Sequence, residues 1–80
     1  LNLFPNPTRG ELTADFQTNI KVPLSYFVID NAGRVILNGN IPVGKQRLNL
    51  WLNGYSTGMY HLIIKDNKGN LSKSKISIID

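Results

Sequence analysis

The chain has no cysteine, one histidine, one tryptophan and one methionine among its 80 residues. Without cysteine there is no disulfide, no thiolate nucleophile and no thiolate metal site. A single histidine excludes a paired-histidine metal centre, although carboxylates can complete a site around one. Charge is sparse: 18% of residues are charged, five acidic against nine Lys and Arg, for a formal net charge of +4. No apolar run approaches the ~20 residues that span a bilayer as a helix, and the first residues carry no basic-then-apolar signal pattern. The hydrophobic fraction of 41% is that of a globular domain, not a disordered one. A domain of this length buries only about 60–65% of the surface its unfolded chain exposes. The composition describes one small, mildly basic domain with little catalytic equipment.

Apolar residues recur at a period of two, the signal of strands. Leu12, Ala14 and Phe16 alternate with Glu11, Thr13 and Asp15; Leu48, Leu50 and Leu52 alternate with Arg47, Asn49 and Trp51; Tyr60, Leu62 and Ile64 alternate with His61 and Lys65. In Leu24–Ile29 both parities are apolar, which predicts a central strand covered on both faces. Between the runs lie turn residues: Pro5-Asn6-Pro7-Thr8-Arg9-Gly10, Asp30-Asn31-Ala32-Gly33, Asn38-Gly39-Asn40 and Asp66-Asn67-Lys68-Gly69-Asn70. No stretch carries a helical period. The pattern predicts about seven short strands, near 1–4, 10–17, 22–30, 33–38, 46–52, 58–66 and 69–79, in a small all-β sandwich. The segment 53–58 is expected to cross between sheets, with Gly58 marking a special backbone position at a strand start. Strand patterns at both chain ends point to a domain excised from a longer protein.

The residues able to carry chemistry do not assemble into a site. His61 has no nucleophile or orienting carboxylate at a telling spacing and reads as structural. Asp30 and Asp66 open turns, where a carboxylate accepts backbone N–H groups; calcium ligation is the rival, but the spaced D-x-[DN]-x-[DN]-G loop is missing. Trp51 is read as part of the core or a lid over it, a sugar-stacking platform being the rival. The Lys and Arg residues are scattered without aromatic interleaving, which argues against nucleic acid. Lys73 and Lys75 share one face of the last strand, where they either guard an edge or mark a recognised surface.

The ordered set of motifs says more than any one of them. Phe4-Pro5-Asn6-Pro7-Thr8-Arg9-Gly10 is followed by Asp30-Asn31-Ala32-Gly33-Arg34, then Gly58-Met59-Tyr60, then Lys75-Ile76-Ser77-Ile78 near the end. In order and spacing this resembles the type A C-terminal sorting domain of the type IX (Por) secretion system. Phe4 stands where Tyr is commoner, and the link before Gly58 is longer than usual. The resemblance implies a non-catalytic, Ig-like β-sandwich without a cofactor, spanning residues 1–80 as the last domain of a secreted protein. It implies covalently attached N-terminal cargo, passage through the periplasm and an outer-membrane translocon, and removal by a sortase-like peptidase, leaving cargo at the cell surface or outside. The residues it marks are Pro5, Asn6, Pro7, Gly10, Asp30, Gly33, Arg34, Gly58, Tyr60, Lys73, Lys75, Ile76 and Ile78. The rival is a carbohydrate-binding or adhesive Ig-like module. Unpaired edge strands are also expected to permit self-association, and the last strand to offer its edge to the translocon.

Overall fold

A computed structural model describes residues 1–80 as seven strands without a helix. They are β1 (Asn2–Phe4), β2 (Glu11–Asp15), β3 (Leu24–Ile29), β4 (Val35–Ile41), β5 (Arg47–Trp51), β6 (Gly58–Asp66) and β7 (Leu71–Ile78). A three-stranded sheet of order β1-β2-β5 packs on a four-stranded sheet of order β4-β3-β6-β7, every neighbour antiparallel. This is the expected small β-sandwich.

Tight turns decide which strands pair. The Asp30 and Asp66 turns are short, so β4 must lie beside β3, and β7 beside β6. The links 16–23, 42–46 and 52–57 carry the chain between sheets, as expected for the last of them. The first two links hold each other: Gly44 N–H donates to the Ile20 carbonyl at 2.8 Å, and Ile20 N–H donates to the Lys45 carbonyl at 2.7 Å.

The core follows the two-residue period. Leu12, Ala14 and Leu50 from the smaller sheet, with Leu52 just past β5, meet Val28, Ile41, Tyr60, Leu62, Ile64, Ile76 and Ile78 from the larger one, with Ile20 closing one end. All twelve are buried.

Three expectations from the sequence are corrected. Trp51 is not core or lid; it is 62% exposed on the outer face of the smaller sheet, as its parity opposite Leu50 requires. Asn38-Gly39-Asn40 is not a turn but the middle of β4, which runs on to Ile41. Gly39 is there because the Tyr26 ring lies over it: a Cβ at Gly39 would stand 2.8 Å from the ring and hydroxyl. Finally, β3 is central within its sheet but covered on one face only. Phe27 and Ile29 are half-buried on the outer side, beside Ile63 of β6.

Candidate site at one end of the sandwich

The antiparallel pairings put the end of β1, the start of β2, the end of β3, the start of β4, the end of β5, the start of β6 and the end of β7 at one pole of the molecule. Loop 5–10, turn 30–34, loop 52–57 and Ile79-Asp80 therefore converge there. Eleven of the thirteen marked residues are at or near this pole: Pro5, Asn6, Pro7 and Gly10 in the first loop, Asp30, Gly33 and Arg34 in the turn, Gly58 and Tyr60 opening β6, and Ile76 and Ile78 closing β7. Lys73 and the side chain of Lys75 lie further along β7 on its outer face, although the Lys75 carbonyl still meets loop 5–10. Leu1 lies at the opposite pole, since Asn2 pairs with Asp15 at the far end of β2. The molecule is 35 Å along its longest axis.

Loop 5–10 is anchored to β7 by a chain of hydrogen bonds. Pro5 and Pro7 have no N–H to donate, and the side chain of Asn6 replaces a peptide group between them. Its Nδ2 donates to the Lys75 carbonyl at 2.9 Å, and its Oδ1 accepts Ser77 N–H at 3.1 Å. Thr8 continues the pairing: its N–H donates to the Ser77 carbonyl, and its own carbonyl accepts Ile79 N–H, both at 2.8 Å. This forms a parallel bridge between Thr8 and Ile78. Thr8 is buried, and its Oγ1 donates to the Glu11 carbonyl at 2.5 Å while accepting Gly10 N–H at 3.1 Å. The loop so binds the smaller sheet to the outer edge of the larger one.

Gly10 sits at φ +145, and its carbonyl accepts Leu52 N–H at 2.5 Å. A Cβ at this position would stand 2.5 Å from Asn53 Nδ2 and 3.3 Å from the Asn53 main chain. Both the backbone angle and the space call for glycine.

The Asp30 turn is closed by its carboxylate. Oδ1 accepts Ala32 N–H at 3.0 Å and Arg34 N–H at 2.9 Å, and Oδ2 accepts Arg34 Nε–H at 2.9 Å. Gly33, at φ +84, donates its N–H to the Asp30 carbonyl. The Arg34 backbone N–H first, with its side chain and Ala32 N–H, holds the Asp30 carboxyl below its ordinary value against the opposing effect of desolvation. The Asp66 turn at the other pole repeats the pattern: Asp66 accepts the side-chain and backbone N–H groups of Asn70 and the N–H of Lys68, which lower its pKa likewise. Turn formation accounts for both carboxylates, as the sequence reading held.

Loop 52–57 is pinned from two sides. Tyr60 Oη donates to the Ser56 carbonyl at 2.6 Å, and Tyr55 Oη to the Ile36 carbonyl at 3.0 Å. Gly58 begins β6 at φ +149. Met59, Gly58 and Tyr60 share a shallow depression with Asp30 and Arg34, so the two motifs form one surface. His61 is half-buried on the outer face of the larger sheet, opposite Lys75 and Ile29.

The family model for the secretion system C-terminal sorting domain matches residues 2–79. The chain belongs to this family. It is the C-terminal sorting signal of type IX secretion cargo, and so belongs to a protein exported to the cell surface or beyond. A search of curated proteins finds no match. Three residues that shape the sorting domain escaped the sequence reading. Thr8 reads in the sequence only as one member of the Phe4–Gly10 turn motif. Its signal is a hydroxyl two residues before a glycine, the spacing of a side-chain turn. Asn53 becomes important only through its contact with Gly10, and Gly39 only through Tyr26; both depend on contacts distant in sequence.

Proposed function

We propose that the pole built by loop 5–10, turn 30–34 and loop 52–57 is the surface by which the outer-membrane translocon recognises the domain. The observation that carries this reading is the convergence of eleven marked residues at the pole opposite Leu1. Cargo joined before Leu1 leaves from the far end of β1 and β2 and does not cover the address. In this reading residues 1–80 are the terminal domain of the cargo protein, and the cargo passes through the periplasm still attached. A sortase-like peptidase then cuts between the two, so the peptide-bond chemistry is the partner's. The domain itself is not an enzyme and takes no cofactor. What supports this is the employment of its polar groups: the two turn carboxylates accept backbone N–H groups, and His61 pairs across the sheet with Lys75 and Ile29.

The test is a periplasmic reporter carrying this chain at its C-terminus, expressed in a host with the type IX machinery. The reporter is expected at the cell surface or in the medium. Retention in the periplasm, with the domain folded, overturns the proposal.

A further inference from the structure

The outer edge of β7 is divided in two. Backbone groups of β7 that point away from β6 belong to the odd-numbered residues, because Lys75, Ser77 and Ile79 present theirs to loop 5–10. Asn6 and Thr8 occupy the Lys75 carbonyl, both Ser77 groups and Ile79 N–H. The N–H and carbonyl of Leu71 and Lys73, and the N–H of Lys75, have no partner on that side. About five residues of open edge remain, ~17 Å of strand. This open half carries the basic face. Lys73 lies opposite Ile63, Lys75 opposite His61, and Lys65 opposite Leu71, all on the outer side of the sheet. None of the five acidic residues lies on that stretch: Asp30 in its turn and Asp66 at the end of β6 have their oxygens engaged, Glu11 and Asp15 belong to the other sheet, and Asp80 lies beyond the far end of β7. Leu71, 67% exposed, and half-buried Ile63 add apolar surface between the lysines.

From this we infer that the Leu71–Lys75 edge of β7 takes up an extended acidic peptide segment as an added strand. Its backbone pairs with Leu71, Lys73 and Lys75, and its carboxylates meet Lys73, Lys75 and Lys65. Strand addition supplies backbone hydrogen bonds, and alternate side chains supply selectivity. A second copy of this chain does not fit, because pairing two such edges sets lysine against lysine. The opposite edge strand, β4, lacks these charges, and Tyr55 already occupies its Ile36 carbonyl. Placing the segment within the secretion machinery rests on the sorting role; the edge binding does not.

The test uses a labelled peptide of alternating Glu and Val as the probe. It is expected to bind, to lose affinity with salt, and to slow amide exchange at Leu71, Lys73 and Lys75 roughly tenfold. The exposed pair Lys73→Glu/Lys75→Glu, with Lys73→Gln/Lys75→Gln as a milder control and melts to confirm folding, is expected to weaken binding roughly tenfold. The same peptide N-methylated at alternate amides is expected not to bind. No binding, protection on β4 instead, equal binding to the Glu variant, or equal binding of the N-methylated peptide each overturns the inference. In the reporter fusion, export unaffected by Lys73→Glu/Lys75→Glu overturns the placement of the segment within the secretion machinery. Retention of the unmodified fusion overturns the sorting role instead, and the peptide titration then decides the edge alone.

Discussion

Thr8→Val isolates the hydroxyl that closes loop 5–10 onto the start of β2. Valine keeps the shape of threonine and removes only the hydroxyl. At 1% exposure Thr8 leaves no room for water to replace it. The change strips the Glu11 carbonyl of a donor and Gly10 N–H of an acceptor. A buried polar group left unpaired costs about 1–3 kcal/mol. The Glu11 carbonyl is only part-buried and stands near the low end of that range, so the sum is about 2–4 kcal/mol. A domain of this size has roughly 4–12 kcal/mol in total, and each kcal/mol moves Tm by about 4–8 °C. The expected fall is therefore roughly 8–32 °C, read by circular dichroism melts and a urea titration. Thr8→Ser retains the hydroxyl and loses one methyl, about 1 kcal/mol. Hydrogen exchange at Ile79 N–H, which donates to the Thr8 carbonyl, is expected to accelerate in the valine variant. A Val variant melting within about 3 °C of the parent would refute the reasoning, as would equal losses in Val and Ser, which would assign the effect to packing.

Gly39→Ala pushes a methyl into the Tyr26 ring and is expected to cost about 1–3 kcal/mol in denaturant unfolding, with Tyr26→Leu relieving part of the loss in the double variant. Gly10→Ala meets both the φ of +145 and the Asn53 contact; a loss of about 1–3 kcal/mol is expected, partly recovered by Asn53→Ala. Acid sensitivity follows from the two turn carboxylates. Both folded pKa values lie below the ordinary 3.8, so the unfolded chain binds more protons in that window and stability rises with pH across it. Their contribution is complete above the ordinary value and lost as pH falls through the lowered ones; Asp30→Asn/Asp66→Asn is expected to flatten that part of a stability-against-pH curve, and an unchanged acid limb would contradict it.

Strand number and core were legible because both rest on local alternation. Leu12, Leu50, Leu62, Ile76 and their neighbours could be assigned by parity alone, and Asp30 and Asp66 by turn chemistry within five residues. What failed depended on contacts far along the chain. Asn38-Gly39-Asn40 reads locally as a turn, and only the cross-strand Tyr26 ring makes it a strand. Trp51 reads as core by its hydrophobicity, whereas its parity places it outside. The site was legible as a set of motifs but not as a place. Nothing within Asn6-Pro7-Thr8 points to Ser77, 71 residues from Asn6, yet that pairing gathers the motifs at one pole.

The repeated turn separates residues that build the domain from residues available to be read. Asp30-Asn31-Ala32-Gly33-Arg34 and Asp66-Asn67-Lys68-Gly69-Asn70 close in the same way at opposite poles. In each, Asp accepts the N–H groups of the third and fifth residues, and the fifth side chain reaches its second oxygen at 2.9 Å. Asn therefore does at position 70 the local work that Arg does at position 34, and the guanidinium exceeds what the turn needs. The Arg34 side chain is 81% exposed. Arg34→Asn is expected to leave the melt within about 3 °C of the parent while lowering export of a fused reporter. Asp30→Ala, which removes the carboxylate that closes the turn, is expected to lower both. Arg34→Asn exported at the parental level would make Arg34 a turn residue like Asn70 and remove it from the recognised surface.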